Sequence, residues 1–248
     1  MSKLETTIIF GTHSVKSFIV KSPDKIKTIY YLRSYQNKKI GEIIDLSKKL
    51  NIQIIPCEKK ELDKIASNNN HQGLIAKIHF QQSLDIDKIN EKFFLKQHSS
   101  ILILDSIQDP RNLGACLRSA LAFDVDAVII NKDNSAPINE HVFKSSVGAI
   151  LGLNIFRVTN LSMTIEKLKK MGFWIIGLDN QKSQNIYSEK FPDKTAFVLG
   201  SEGQGIRRLV KKNCDQLLEI PISKEIDSLN ISVATGIVLY EFKKQHFN

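Results

Sequence analysis

Apolar and polar positions along the chain fall into short runs of two alternating kinds. In the first 80 residues, TIIF (7–10), KTIYYL (27–32), IQIIP (52–56) and LIAKIHF (74–80) are β-branched and aromatic runs of strand length. Between them, residues 13–20 and KKELDKIA (59–66) read as helices, and IGEIIDLSKKL (40–50) brings Ile40, Ile43, Ile44 and Leu50 near one helical face. Pro56 is expected to end its strand, and SNNNHQG (67–73) is a turn cluster. This predicts a small α/β unit over residues 1–80, large enough to fold alone.

Residues 81–98 have mixed character and room for one helix, so they read as a linker. A second alternation then begins. ILILD (101–105), AVII (127–130), IFRV (155–158), FWIIGLD (173–179), AFVLG (196–200) and QLLEIPI (216–222) are apolar strands. LGACLRSALAF (113–123), NEHVFKSSVGAI (139–150), IEKLKKMG (165–172) and GIRRLVKKN (205–213) are the intervening helices, the first with Leu113, Leu117 and Leu121 on one face. Apolar strands separated by helices predict an α/β fold with a mostly parallel sheet covered on both faces. Pro221 ends the last strand or bends it into a loop. A final helix starts near Asn230, with Val233, Gly236, Ile237, Tyr240 and Phe242 at helical spacing and Asp227, Ser228 or Asn230 as its cap.

Charge changes this picture more than composition does. Of the +9 net charge, residues 1–80 hold 14 Lys/Arg against 7 Asp/Glu, whereas residues 81–248 hold 21 against 19. The excess is therefore concentrated in the first unit, as for a part that meets a polyanion, although a lysine-rich surface also serves solubility. Only six of the basic residues are arginine, and two of them, Arg111 and Arg118, share one short loop–helix segment. No apolar run approaches the roughly 18 residues of a membrane span, and the N-terminus lacks a signal-peptide core. Cys57, Cys116 and Cys214 are odd in number and far apart, which suits neither a disulfide framework nor a metal knuckle. A cytoplasmic protein with reduced thiols and no membrane association is expected. Low complexity is confined to Asn68–Asn70.

The chain has no P-loop and no G-x-G-x-x-G after the first strand, so a ligand pocket must come from other loops. Three stand out. In LDSIQDPRNLGACLRSA (104–120), Asp109-Pro110 makes a turn, Asn112 is placed to cap the helix, and Arg118 lies six residues further on. In FVLGSEGQGIRR (197–208), three glycines within six positions follow an apolar strand and enclose Glu202, a loop able to wrap a ligand with backbone amides. In EIPISKEIDSLNISVATGIVLYE (219–241), a strand end, a polar loop and a helix N-terminus form a pocket lined with backbone donors. Each alone is equally a turn or a cap.

Together the three resemble the signature set of the SpoU family of RNA 2′-O-ribose methyltransferases, within the SPOUT superfamily. FGTHSVKSFI (10–19) and HQGLIAKI (71–78) resemble the start and end of the small RNA-binding domain, similar to ribosomal protein L30e, that precedes the catalytic domain in part of that family. The resemblance implies an L30e-like domain over 1–80, a linker over 81–98, and a SPOUT methyltransferase domain over 99–248 with a C-terminal trefoil knot. It implies S-adenosyl-L-methionine held by Gly200, Ile220 and Leu229, with Asn112, Arg118, Glu202, Ser228 and Asn230 around the reacting groups. It also assigns Gly11, His13 and Arg111 to RNA contact, and implies a homodimer sharing its active sites and a reaction needing no metal. The nearest pattern in the family methylates a guanosine ribose in the peptidyl-transferase loop of 23S rRNA. A tRNA 2′-O-methyltransferase and a non-catalytic RNA-binding assembly factor remain the alternatives. Since a guanidinium does not deprotonate, Arg118 is expected to hold phosphate or a developing alkoxide.

Overall fold

The computed structural model describes residues 5–66, 71–80, 83–84, 86–90, 94, 96–179 and 184–246. By its contacts the chain forms two units, Met1–Gln82 with Ile138–Leu151, and Ser83–Pro137 with Gly152–Asn248. The triplet Asn68–Asn70 and much of the stretch read as a linker lie outside the described residues. Ile89 and Phe94, within that stretch, are buried in the core of the second unit, Phe94 edge-on to Phe173.

The first unit runs β1 (Glu5–Phe10), α1 (Thr12–Lys21), β2 (Ile26–Leu32), α2 (Lys38–Lys49), β3 (Ile54–Cys57), α3 (Lys59–Ala66) and β4 (Leu74–Phe80). Its sheet has the order β1-β4-β2-β3, antiparallel except for the β2–β3 pair. Pro56 does not end β3 but lies inside it, opposite Tyr31. An edge strand tolerates this, because a proline there need not donate to a neighbour. Leu50 is exposed rather than buried, since it lies just past the last turn of α2. Ser47 takes the inward position instead, its hydroxyl donating to the Ile43 carbonyl at 2.6 Å.

The remaining elements are β5 (Ser99–Asp105), α4 (Pro110–Ala122), β6 (Ala127–Asn131), α5 (Glu140–Ser145), β7 (Ile155–Val158), α6 (Leu161–Lys170), β8 (Trp174–Leu178), β9 (Lys194–Gly200), α7 (Arg208–Lys212), β10 (Gln216–Leu218) and α8 (Ile231–His246). Of these, α5 packs with the first unit, where Phe143 meets Phe18 at a ring separation of 6.3 Å. The six strands of the second unit form one parallel sheet, ordered β10-β8-β9-β5-β6-β7. β5 and β6 are buried along their whole length, as parallel strands covered on both faces must be.

Three local expectations are corrected. α4 starts at Pro110, and its cap is Asp109, whose side chain accepts from the Arg111 amide at 2.9 Å. A proline at the first helical position with aspartate before it is a stronger start than Asn112 could give. β10 ends at Leu218, three residues before Pro221. In α8 the buried face is Ile231, Thr235, Val238, Leu239 and Phe242, leaving Val233 and Tyr240 exposed. A parallel sheet brings the C-terminal ends of all its strands to one edge, and the strand order reverses between the neighbours β5 and β9. Ligand crevices form at such an edge.

Candidate active site

At this edge the ends of β8 and β9, the loop after β10 and the start of α8 surround a cavity of about 570 Å³. That is within the range of small-molecule and cofactor sites. Leu178, Leu199, Ile220 and Leu229 contribute apolar wall, and Ser201, Glu202, Asp227 and Ser228 contribute polar groups. Asp179 and Lys211 form an ion pair on its lining. Gly200, Ile220, Leu229, Glu202 and Ser228 are thus brought together around one cavity.

The loop after β9 explains its glycines. Beyond Gly200 it folds back on itself, with the Gly205 amide donating to the Ser201 carbonyl at 2.9 Å. A Cβ on Gly200 would come within 1.9 Å of the Gly205 carbonyl carbon, so the loop could not close over any other residue. Gly200 therefore serves first the shape of the loop and only then the cavity.

Three side chains from three distant motifs meet beside this loop. Asn112 Nδ2 donates to Glu202 Oε1 at 3.0 Å, and Asn230 Nδ2 donates to the same oxygen at 2.7 Å and to Asn112 Oδ1 at 3.1 Å. Asn230 Oδ1 accepts from the Ser232 amide at 2.9 Å, capping α8. That bond fixes which end of the amide faces Glu202, because a backbone N–H can only donate. Asn112 is therefore not a cap: it lies in the first turn of α4 and reaches across to the carboxylate.

Arg118 is not brought in. It is exposed on α4, does not line the cavity, and makes no hydrogen bond or ion pair with another described residue. Arg111 is exposed at the start of the same helix. In the first unit Gly11 is buried with φ +87°, shaping the entry to α1, while His13 is exposed with Nε2 3.5 Å from Lys39 Nζ.

Asp105 escaped the reading of the sequence. It is fully buried at the end of β5, where Oδ2 accepts from the Arg207 amide at 2.9 Å and Oδ1 from Arg207 Nε at 2.7 Å and Ser106 Oγ at 3.1 Å. It thereby pins the far end of the glycine loop to the central strand. Its only signal was a carboxylate closing an apolar run. Beneath the site, burial pushes the Cys116 thiol up to about 11, and Thr235 Oγ1 donates to its sulfur at 3.4 Å. So protonated and enclosed, it is not a nucleophile.

Residues 99–240 match the SpoU rRNA Methylase family, and residues 8–84 match the RNA 2′-O ribose methyltransferase substrate binding family. A protein of Haemophilus ducreyi named 23S rRNA (guanosine-2′-O-)-methyltransferase RlmB is 38% identical over 238 residues, covering 96% of this chain and 97% of its own. A protein of the same name from Photobacterium profundum is 38% identical over 245 residues, covering 98% and 99%. Among solved structures, the SpoU methyltransferase AviRb from Streptomyces viridochromogenes, in complex with the cofactor AdoMet, superposes with a TM-score of 0.81. The superposition covers 98% of this chain and 91% of that one at 19% identity, a likeness of fold.

Proposed function

The chain belongs to the SpoU rRNA methylase family, and from that premise we propose that it transfers a methyl group from S-adenosyl-L-methionine to the 2′-hydroxyl of a guanosine in 23S rRNA. The observation that carries this reading is the Asn112–Glu202–Asn230 cluster at the edge of the cavity. A protein that only bound RNA would have no chemical use for such a pocket.

The cavity suits S-adenosylmethionine in size and in its division between apolar wall and polar loop. Gly200, Ile220 and Leu229 would hold it, and when bound it supplies a methyl group on a positively charged sulfur. The protein's own residues have the remaining work. They position the ribose oxygen and exclude water. Glu202 is the carboxylate of the cluster, and with Oε1 held by two amides it accepts the hydroxyl proton through Oε2. Ser228 holds the ribose, and Asn230, with its amide committed to Glu202, Asn112 and Ser232, positions the carboxylate. Arg118, a fixed cation and a planar fork, grips RNA phosphate or the developing alkoxide. No step calls for a metal.

Arg118 does not line the cavity of its own chain, and α8 carries an exposed apolar stripe at Val233 and Tyr240, with Tyr240 edge-on to Phe123, just past α4. Both features support a homodimer in which Arg118 serves the partner's site. We read the residues up to about 80 as the L30e-like RNA-binding domain, with Gly11 shaping and His13 joining a basic surface, and Arg111 as a further RNA contact. The residues from 99 onward form the SPOUT domain with its C-terminal knot, a reading the parallel sheet supports. Among the described residues no helix is long and apolar enough to cross a membrane, which accords with work on ribosomal RNA in the cytoplasm.

The test is transfer of tritium from labelled S-adenosylmethionine to rRNA from a strain lacking this protein, with the modified nucleotide mapped. Label on one 23S guanosine is expected. Label on tRNA instead, or none on RNA that the protein binds, would overturn the reading.

A further inference from the structure

At the opposite edge of the parallel sheet, three side chains that the methyl-transfer chemistry does not use converge on one point. His98 immediately precedes β5, Asp193 immediately precedes β9, and His246 is the last residue of α8. Neighbouring hydrogen bonds hold them together without help from their own side chains. The Ser99 amide donates to the Asp193 carbonyl at 2.8 Å. Gln245, next to His246, accepts from the Phe191 amide at 2.9 Å and donates to the Glu189 carbonyl at 3.0 Å.

His98 Nδ1 lies 3.0 Å from Asp193 Oδ1, and His246 Nε2 lies 3.6 Å from the same oxygen. The ligand atoms of the three residues are all within 4.8 Å of one another. The His246 ring is fixed by stacking on Phe242 at 4.3 Å, and its Nδ1 lies 3.0 Å from the Phe242 carbonyl. A carbonyl only accepts, so Nδ1 must carry a proton. Nε2 is then the ring nitrogen turned toward the Asp193 carboxylate. Orientation of a ligand histidine by a backbone carbonyl on its other nitrogen is the usual support of a metal site.

We propose that His98, Asp193 and His246 bind one divalent transition-metal ion of the zinc class. Bonds of about 2.0–2.1 Å in a tetrahedral arrangement set ligand atoms roughly 3.3 Å apart. The two separations from Asp193 Oδ1, 3.0 and 3.6 Å, straddle that value, and the cluster's span of up to 4.8 Å must narrow as the ion binds. Two imidazoles and one carboxylate favour zinc, cobalt or nickel over magnesium or calcium. β5 has seven residues, so the site stands roughly 20 Å from the methyl-transfer cavity at about 3.3 Å per residue. Its role is structural. It ties the end of α8 to the starts of two central strands, and α8 directly follows Asn230 of the catalytic cluster.

The experiment uses the full-length protein stripped with a chelator. Zinc chloride is titrated by calorimetry, and cobalt by its visible absorption. One ion per chain, a tetrahedral cobalt spectrum and a rise in Tm of roughly 5 °C at 100-fold excess over Kd are expected. Asp193→Asn, at an exposed carboxylate, and His98→Gln should each weaken zinc binding at least ~100-fold and abolish the rise. Absence of zinc or cobalt binding tighter than about 0.1 mM would overturn the proposal. So would binding that both variants leave unchanged.

Discussion

Replacing Asp105 by asparagine changes no volume and tests whether the glycine loop depends on the central strand. The buried carboxylate accepts on both oxygens, from the amide and Nε of Arg207 and from Ser106 Oγ. An asparagine keeps one accepting oxygen. Whichever way its amide turns, the NH2 faces a donor of Arg207, so one bond is lost and two donors oppose each other. Hydrogen bonds to charged groups contribute about 1.5–3 kcal/mol, and breaking a buried pair by removing one partner costs about 3–5 kcal/mol. The guanidinium side is 45% exposed, so water recovers part of this. The expected loss is about 2–4 kcal/mol, read as a lower urea midpoint at unchanged m-value. Because Arg207 follows the loop that lines the cavity, affinity for S-adenosylmethionine should fall as well. A variant within about 0.5 kcal/mol of the parent, with unaltered cofactor affinity, would refute the argument.

Gly200→Ala should lower cofactor affinity by calorimetry and reduce stability together, since its Cβ would meet the loop backbone rather than a ligand; loss of affinity at full stability would show the opposite. Glu202→Gln keeps an acceptor for Asn112 and Asn230 but cannot take a proton, so single-turnover methyl transfer should slow by roughly 10²–10⁴-fold while S-adenosylmethionine still binds. Arg118→Lys keeps the charge but not the planar fork, and kcat should drop at least ~100-fold with Tm unchanged, because the side chain is exposed. The Cys116 thiol is raised from 9.0 to about 11 by burial, so the folded state holds its proton after the unfolded chain has released it. That contribution is complete below pH 9 and is lost as pH rises from there to about 11; urea midpoints at pH 8 and 10.5 should differ less in Cys116→Ala.

Elements were legible because their signals are local. Ile40, Ile43 and Ile44 declare the buried face of α2 by spacing alone, and β5 declares itself by an unbroken apolar run. Endings were less legible, since a cap is a competition between neighbours. Asp109 and Asn112 both suit the start of α4, and proline at 110 decides for Asp109. The error had a use, because an asparagine freed from capping needs another partner. That partner lies 90 residues away in Glu202, and Asn230 lies 118 residues from Asn112. No periodicity carries information over such separations, so spacing alone could not join the motifs, and only the family resemblance placed them around one site. Asp105 was hidden in the same way, its arginine being 102 residues distant. α8 misled for a different reason. Its apolar residues run round much of the helix, so spacing selected Val233 and Tyr240 along with Phe242, and the fold buries only one of the three. An apolar residue left outside in this way measures what the single chain does not cover. On α8 the uncovered stripe borders the same helix, α4, whose Arg118 finds no partner in its own cavity. The proposed homodimer would cover that stripe and give Arg118 a site on the partner.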